Sequence, residues 1–207
     1  MRARDLMSTP VVTVKPSTSA KEAAGLLASH GFTALPVVDD DDRLIGIITE
    51  ADLIRDRIPR DPRYRHGDAE TAHPHPVKTT VESLMTSPVT AMSSGSDITD
   101  LCEALTDARI RAMPIVDGST VTGIVTRGDV VRALARTDEA IAADVRRRLE
   151  IYGGAERWKI EVHDGTVRIA DEFDSATDRH VATLLAEAVP GVIGAETVHA
   201  TDEGTES

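Results

Sequence analysis

The chain has 207 residues and a formal charge of −12, with 41 % hydrophobic, 28 % charged and only 2 % aromatic residues. That size allows one large or two small domains, with cores built from Val, Ile, Leu and Ala. So acidic a balance excludes a broad nucleic-acid-binding face, which needs clustered Lys and Arg, and one cysteine, Cys102, excludes an internal disulfide and a Cys-only zinc site.

The opening "MRARDLMSTP" has no apolar core of a signal peptide, and no segment approaches the ~18 apolar residues of a membrane span. A cytoplasmic protein is the expectation. The valine-rich run 10–14 predicts a strand. Ser19 is placed to cap a helix, with Glu22 completing a capping box and Ala20, Ala23, Ala24 and Leu27 as the buried stripe. "ALPVVD" (34–39) and "RLIGIIT" (43–49) predict two strands joined by an acidic turn at 39–42. Asp52 then opens a second helix whose Leu53, Ile54 and Ile58 face inward.

This strand–helix–strand–strand–helix order occurs twice. "LMSTPVVTVKPSTS" (6–19) and "ALPVVD" match "LMTSPVTAMSSGSD" (84–97) and "AMPIVD" (112–117) at an offset of 78. "GIITEAD" (46–52) then matches "GIVTRGD" (123–129) at 77, so one residue is lost in a hairpin loop. Cys102 falls where the first copy has Ala24 and predicts a buried structural cysteine. Each copy is small for an independent core, so the two are expected to pack with pseudo-two-fold symmetry and two equivalent clefts.

Between the copies, residues 58–79 form a Pro-, Arg- and His-rich linker. Its histidines, His66, His73 and His75, lack the Cys or carboxylate partners of a metal-binding spacing, so no metal is assigned. Its arginines and Arg55 read as a solvated basic stretch that is also able to receive an anionic ligand tail or a partner.

Thr49 ends a strand and Asp52 lies three residues on, in the first helical turn; Thr126 and Asp129 repeat the arrangement. A helix N-terminus attracts anions, a threonine hydroxyl there can bond a phosphate oxygen, and an aspartate can accept from the two hydroxyls of a ribose. Gly46 relieves crowding on the strand. The same Thr-x-x-Asp spacing also makes a plain N-cap, and the two readings stand side by side.

With "LMSTPVVTV", "ALPVVD" and "GIITEAD" present in order and twice, residues 3–57 and 80–136 resemble a tandem pair of cystathionine β-synthase (CBS) domains, a Bateman module. The resemblance implies adenosine-containing ligands (AMP, ADP, ATP or S-adenosylmethionine) in clefts between paired copies, and a homodimer. Carried over by position, one cleft would use Thr49 and Asp52 with Thr86, Thr90, Ile110, Arg111 and Ala112. The other would use Thr126, Arg127 and Asp129 with Ser8, Val12, Phe32, Thr33 and Ala34. Adenine would lie between apolar side chains, ribose on the aspartate and phosphate at the threonine. Arg111 stands where the first copy has Thr33 and can pair with a phosphate, whereas Glu50, next to Thr49, opposes one unless it faces solvent.

In the third segment, Thr137 or Asp138 caps a helix with Ile141, Val145 and Leu149 on one face, and Asp164-Gly165 predicts a tight hairpin. Trp158, Ile160 and Val162 share a face with Val167 and Ile169. Ser175 and Asp178 open a helix with Val181, Leu184, Leu185 and Ala188 apolar, and a last strand follows Pro190-Gly191. This helix–strand–strand–helix–strand order over 137–200, with "IAADVRRRL", "EVHDGTVRI" and "VPGVIGAETV", resembles a BON domain. The resemblance implies an interaction or output module, with phospholipid as a possible contact through Arg146, Arg147 and Arg148. Residues 201–207 read as a disordered acidic tail.

The expected fold is thus mixed α+β and α/β: two βαββα repeats (domain one over 1–57, domain two over 80–136) and a small αββαβ domain. No nucleophile elbow, zinc spacing or Gly-rich phosphate loop marks an enzyme. Two functions remain: a regulatory sensor of adenine nucleotides that signals to a protein partner, or a dimerisation scaffold without a physiological nucleotide.

Overall fold

A computed structural model describes residues 1–55, 79–107 and 110–201. The linker histidines, the inward position expected for Ile58 and the tail from 202 lie outside the described residues. In chain order the elements are α1 (Ala3–Leu6), α2 (Ala20–His30), β1 (Ala34–Val38), β2 (Leu44–Thr49), α3 (Glu50–Ile54), β3 (Met92–Ser93), α4 (Ile98–Asp107), β4 (Ala112–Asp117), β5 (Thr120–Thr126) and α5 (Arg127–Leu134). They continue as α6 (Asp138–Gly153), β6 (Trp158–His163), β7 (Thr166–Asp171), α7 (Ala176–Glu187) and β8 (Gly194–His199). None of the helices among the described residues is long and apolar enough to cross a membrane. The chain divides into two compact units, residues 8–94 with 105–124, and residues 1–7, 95–104 and 125–207.

In the unit built around residues 8–94, β1 is buried along its whole length and pairs antiparallel with β2, Leu35 opposite Ile48 and Val37 opposite Gly46. A strand covered on both faces reads as a continuous apolar run rather than an alternation. Val14, Ala23, Leu27, Leu35, Val37, Ile48 and Val81 form its core, with Val12, Phe32 and Leu53 packed at the margin.

The strand expected at 10–14 is reduced to one parallel bridge, Val14 with Val37. Val14 N–H donates to the Pro36 carbonyl and its own carbonyl accepts from Val38 N–H, both at 3.0 Å. The next bond back along that ladder would need an N–H from Pro36, which proline lacks. Pro114 places the same limit on the second copy, where β3 covers only Met92 and Ser93, opposite Ile115 and Val116.

Helix α2 is capped by Ser19, whose side chain accepts from Glu22 N–H at 3.1 Å; the return bond of a capping box is not made. Its buried residues are Ala20, Ala23 and Leu27, while Ala24 is exposed. The matching Cys102 on α4 is half-buried rather than buried, and that burial pushes its thiol pKa up. Helix α3 is a single turn that begins before Asp52; Leu53 packs inward but Ile54 is 59 % exposed.

Strand β2 pairs on its other edge with a segment of the second copy. Ile47 and Thr86 exchange both backbone bonds, at 3.1 and 2.8 Å, and the Ser87 hydroxyl donates to the Ile45 carbonyl at 2.8 Å. Gly46 is what permits this approach: a Cβ there would lie 2.7 Å from Met85 Sδ and 3.1 Å from the Thr86 carbonyl oxygen.

The other unit contains the third segment, whose element order is the expected αββαβ. Strands β6, β7 and β8 form one sheet, β6–β7 antiparallel and β7–β8 parallel. Ile160 faces Ile169 and Val162 faces Val167 across a two-residue turn at Asp164-Gly165, both with positive φ (47° and 76°), as a primed hairpin turn requires. The Asp138 carboxylate accepts both turn N–H groups, at 2.8 and 2.9 Å, while Thr137 caps α6. Ile141, Val145 and Leu149 pack with Val167, Ile169, Ala182 and Ala186. On α7 it is Ala182 and Ala186 that are buried, and Leu184 is half exposed. Arg146 and Arg147 are exposed; Arg148 is half-buried and donates to the Leu185 carbonyl at 3.5 Å.

Asp171 at the end of β7 is fully buried, and Arg157 grips it with two bonds of 2.7 and 2.8 Å. The same guanidinium bonds Asp178 at 2.8 Å and lies 4.3 Å from the Trp158 ring centroid. Burial works to raise the Asp171 pKa, but the Arg157 and Phe173 N–H bonds hold it below the usual carboxylate range. Bonds from Arg157 and Tyr152 likewise hold Asp178 low. Both carboxylates therefore stabilise the fold above their unfolded pKa of ~3.9, and that contribution is lost as pH falls through the lower folded values.

Two outcomes test these contacts. Asp171→Asn removes the charge from the buried partner of Arg157 and leaves that guanidinium with Asp178 alone, and is expected to lower stability by about 1–3 kcal/mol, read by urea unfolding followed through Trp158 fluorescence; a midpoint within error of the parent would contradict the geometry. Gly46→Ala forces Met85 and the Thr86 backbone aside and is expected to cost about 1–3 kcal/mol, read by urea unfolding followed by far-UV circular dichroism.

Candidate functional site

The Ile47–Thr86 pairing places the end of β2 beside the segment 86–90 and the start of β4. Between them lies a cavity of about 450 Å³ lined by Ile47, Thr49, Ala51, Asp52, Arg55, Thr86, Pro88, Val89, Thr90, Ile110, Arg111 and Ala112. All of it belongs to the unit of residues 8–94 and 105–124. The structure thus brings Thr49, Asp52, Thr86, Thr90, Ile110, Arg111 and Ala112 together around one space.

The sequence did not place Ile47, Ala51, Pro88 and Val89 in the site, and named Arg55 only within a basic stretch able to receive an anionic ligand tail. Two of them had a local signal. Ile47 is two residues before Thr49 on the same strand face, and Arg55 is three residues after Asp52, one helical turn away. Ile47 and Ala112 form a small apolar cluster with Ala34, backed by Val89.

Thr49 and Asp52 make a reciprocal capping box. Oδ2 of Asp52 accepts from the Thr49 N–H at 2.9 Å and from the Thr49 hydroxyl at 2.7 Å, and Asp52 N–H donates to the same hydroxyl at 3.4 Å. The proton expected to reach a phosphate is thus held by Asp52. The short α3 also has little dipole to offer, since that effect needs aligned turns. Oδ1 of Asp52 has no hydrogen-bond partner among the described residues, and neither has the Thr86 or the Thr90 hydroxyl. Glu50 is exposed and does not line the cavity.

Thr126 and Asp129 form the same box, with Oδ2 of Asp129 accepting at 2.8 and 2.7 Å. There the second oxygen is also engaged: Arg132 donates to Oδ1 at 2.8 Å, and Asp129 is buried. Arg127 is exposed at the first position of α5. Thr126, Arg127 and Asp129 belong to one unit, and Ser8, Val12, Phe32, Thr33 and Ala34 to the other. Within the latter, Ser8 N–H donates to the Ile124 carbonyl at 2.9 Å, Ala34 is buried and Val12 and Phe32 border the core. Among the described residues no group of three or more His, Cys, Asp or Glu could hold a metal ion.

Comparison with known proteins bears on this geometry. The uncharacterized protein MJ1404 of Methanocaldococcus jannaschii is 23 % identical over 184 residues, spanning 89 % of this chain and 39 % of that protein. Among solved structures, the CBS domain pair of protein MJ0100, in complex with 5′-methylthioadenosine and S-adenosyl-L-methionine, is 28 % identical with a TM-score of 0.52, covering 64 % of this chain and 94 % of that one. CBSX2 of Arabidopsis thaliana, solved with AMP, is 30 % identical with a TM-score of 0.51 over 64 % of this chain and 94 % of that one. The CBS domain family matches residues 3–58 and 81–136, more than half of the chain and the two segments that build the cavity: the protein belongs to the CBS-domain family, as a tandem CBS pair.

Proposed function

We propose that this chain is a regulatory module that binds an adenosine-containing ligand, of the AMP, ADP and ATP class or S-adenosylmethionine, in the cavity at Thr49 and Asp52. The observation that carries this reading is the open Oδ1 of Asp52 at a cavity whose other lining residues are apolar or hydroxyl-bearing apart from Arg55 and Arg111. A carboxylate oxygen so placed accepts from a ribose diol, and Ile47, Val89, Ile110 and Ala112 offer apolar contact to a base. The relatives solved with AMP and with S-adenosyl-L-methionine support the ligand class.

The αββαβ segment over 137–200 has the element order of a BON domain, and in this reading it is the output module that a partner protein contacts. A cytoplasmic, non-catalytic, homodimeric protein completes the reading. One observation favours the scaffold alternative. Both Thr-x-x-Asp pairs are closed capping boxes, and a cap needs no ligand.

Melting the full chain with AMP, ADP, ATP, NAD and S-adenosylmethionine separates the two. A ligand at 100 times its Kd adds about 2.7 kcal/mol of stability, and that gain is expected to vanish in Asp52→Ala. No shift with any of these ligands favours the scaffold.

A further inference from the structure

Adenosine ligands fall into two charge classes. Phosphorylated ones carry a net negative group at the 5′ position, while the thioether is neutral there and the sulfonium amino acid of S-adenosylmethionine sets two cations against one carboxylate, a net positive group. We propose that Arg55 and Arg111 make the Asp52 cavity selective for 5′-phosphorylated adenosines. This inference rests on the nucleoside reading above and adds the class of the 5′ group.

The charged residues lining the cavity are Asp52, Arg55 and Arg111, so the balance is positive on a chain of net charge −12. Neither guanidinium has an ion-pair partner among the described residues. The position matching Arg55 in the second copy shows the alternative: Arg132, three residues after Asp129, closes onto that aspartate at 2.8 Å. Asp52 and Arg55 have the same spacing and make no such pair, which leaves Oδ1 of Asp52 and the Arg55 guanidinium separately available. The position matching Arg111 in the first copy is the neutral Thr33. The first cavity therefore collects two open guanidinium groups where the corresponding positions hold one paired arginine and one threonine.

Guanidinium groups bind phosphate through paired, charge-assisted hydrogen bonds, and the unpartnered Thr86 and Thr90 hydroxyls add donors. The α-carboxylate of S-adenosylmethionine can pair with one guanidinium, but its sulfonium and α-ammonium then share the space with the second arginine. The one lining carboxylate, Asp52, already has one oxygen in the cap and offers the other to the sugar. Burying a cation without a partner is unfavourable, so the donor set selects against that class.

Calorimetric titration of the full chain with AMP, adenosine, 5′-methylthioadenosine and S-adenosylmethionine tests the assignment. AMP is expected to bind at least about 10-fold tighter than adenosine, and S-adenosylmethionine no tighter than adenosine. Arg55→Gln and Arg111→Gln are each expected to lower the AMP-to-adenosine preference about 10-fold and to leave the adenosine Kd within about 2-fold. Binding removed by Asp52→Ala identifies this cavity. A preference unchanged in either arginine variant, or S-adenosylmethionine binding as tightly as AMP, overturns the selectivity while the nucleoside reading stands. Failure of all four compounds to bind overturns the nucleoside reading and the selectivity with it.

Discussion

The exchange of two backbone hydrogen bonds between Ile47 and Thr86 is the contact on which the candidate site depends. It joins a strand of the first CBS repeat to a segment of the second. Thr49 and Asp52 thereby come to share a space with Thr90 and Arg111, residues some forty to sixty positions away in the chain. A side chain at the intervening residue would press on Met85 and the Thr86 carbonyl, 2.7 and 3.1 Å from where a Cβ would lie. Glycine at 46 thus lets the seam between the repeats close without strain, and the cavity exists because that seam closes.

The Thr-x-x-Asp pair shows how one spacing serves two ends. A carboxylate has two oxygens, and in both repeats Oδ2 satisfies the N–H and hydroxyl of the capping threonine. A helix start has unpaired N–H groups that must find acceptors, so this bond is structural in either copy. The difference lies in Oδ1, taken by Arg132 in the second repeat and open in the first. Cap and ligand site are therefore compatible readings of Asp52, each using a different oxygen. The threonine hydroxyl is not divisible in this way, since its single proton already points at Asp52. In the proposed site, anion binding would fall instead to the arginines and to Thr86 and Thr90.

The third segment is held by a different device. Its sheet and two helices enclose a core of aliphatic side chains and Trp158, while Arg157 ties the buried Asp171 to Asp178 at the start of α7. A buried ion pair of this kind contributes little net attraction once desolvation is counted, but loss of either partner is costly. It fixes how the last helix meets the sheet.

Local signals were legible in the sequence. The repeat, the caps at Ser19, Thr137 and Ser175, the Asp164-Gly165 turn and the Ile141–Val145–Leu149 stripe each depend on neighbours within a few residues, so pattern alone determined them. The seven residues assigned to the first cavity could be named because the resemblance to tandem CBS domains located them by position. Where several elements compete for one face, the sequence misled. Ala24 and Ile54 look as apolar as their buried neighbours, and nothing local says which side of a helix will be covered. The strand at 10–14 failed because its ladder ran against Pro36, a partner more than twenty residues away. Only the tertiary structure decided that Arg55 belongs to the cavity and that Asp52 keeps one oxygen open. Those facts depend on which groups meet across the seam, and hydrogen-bond partners distant in the chain leave no periodic trace in it.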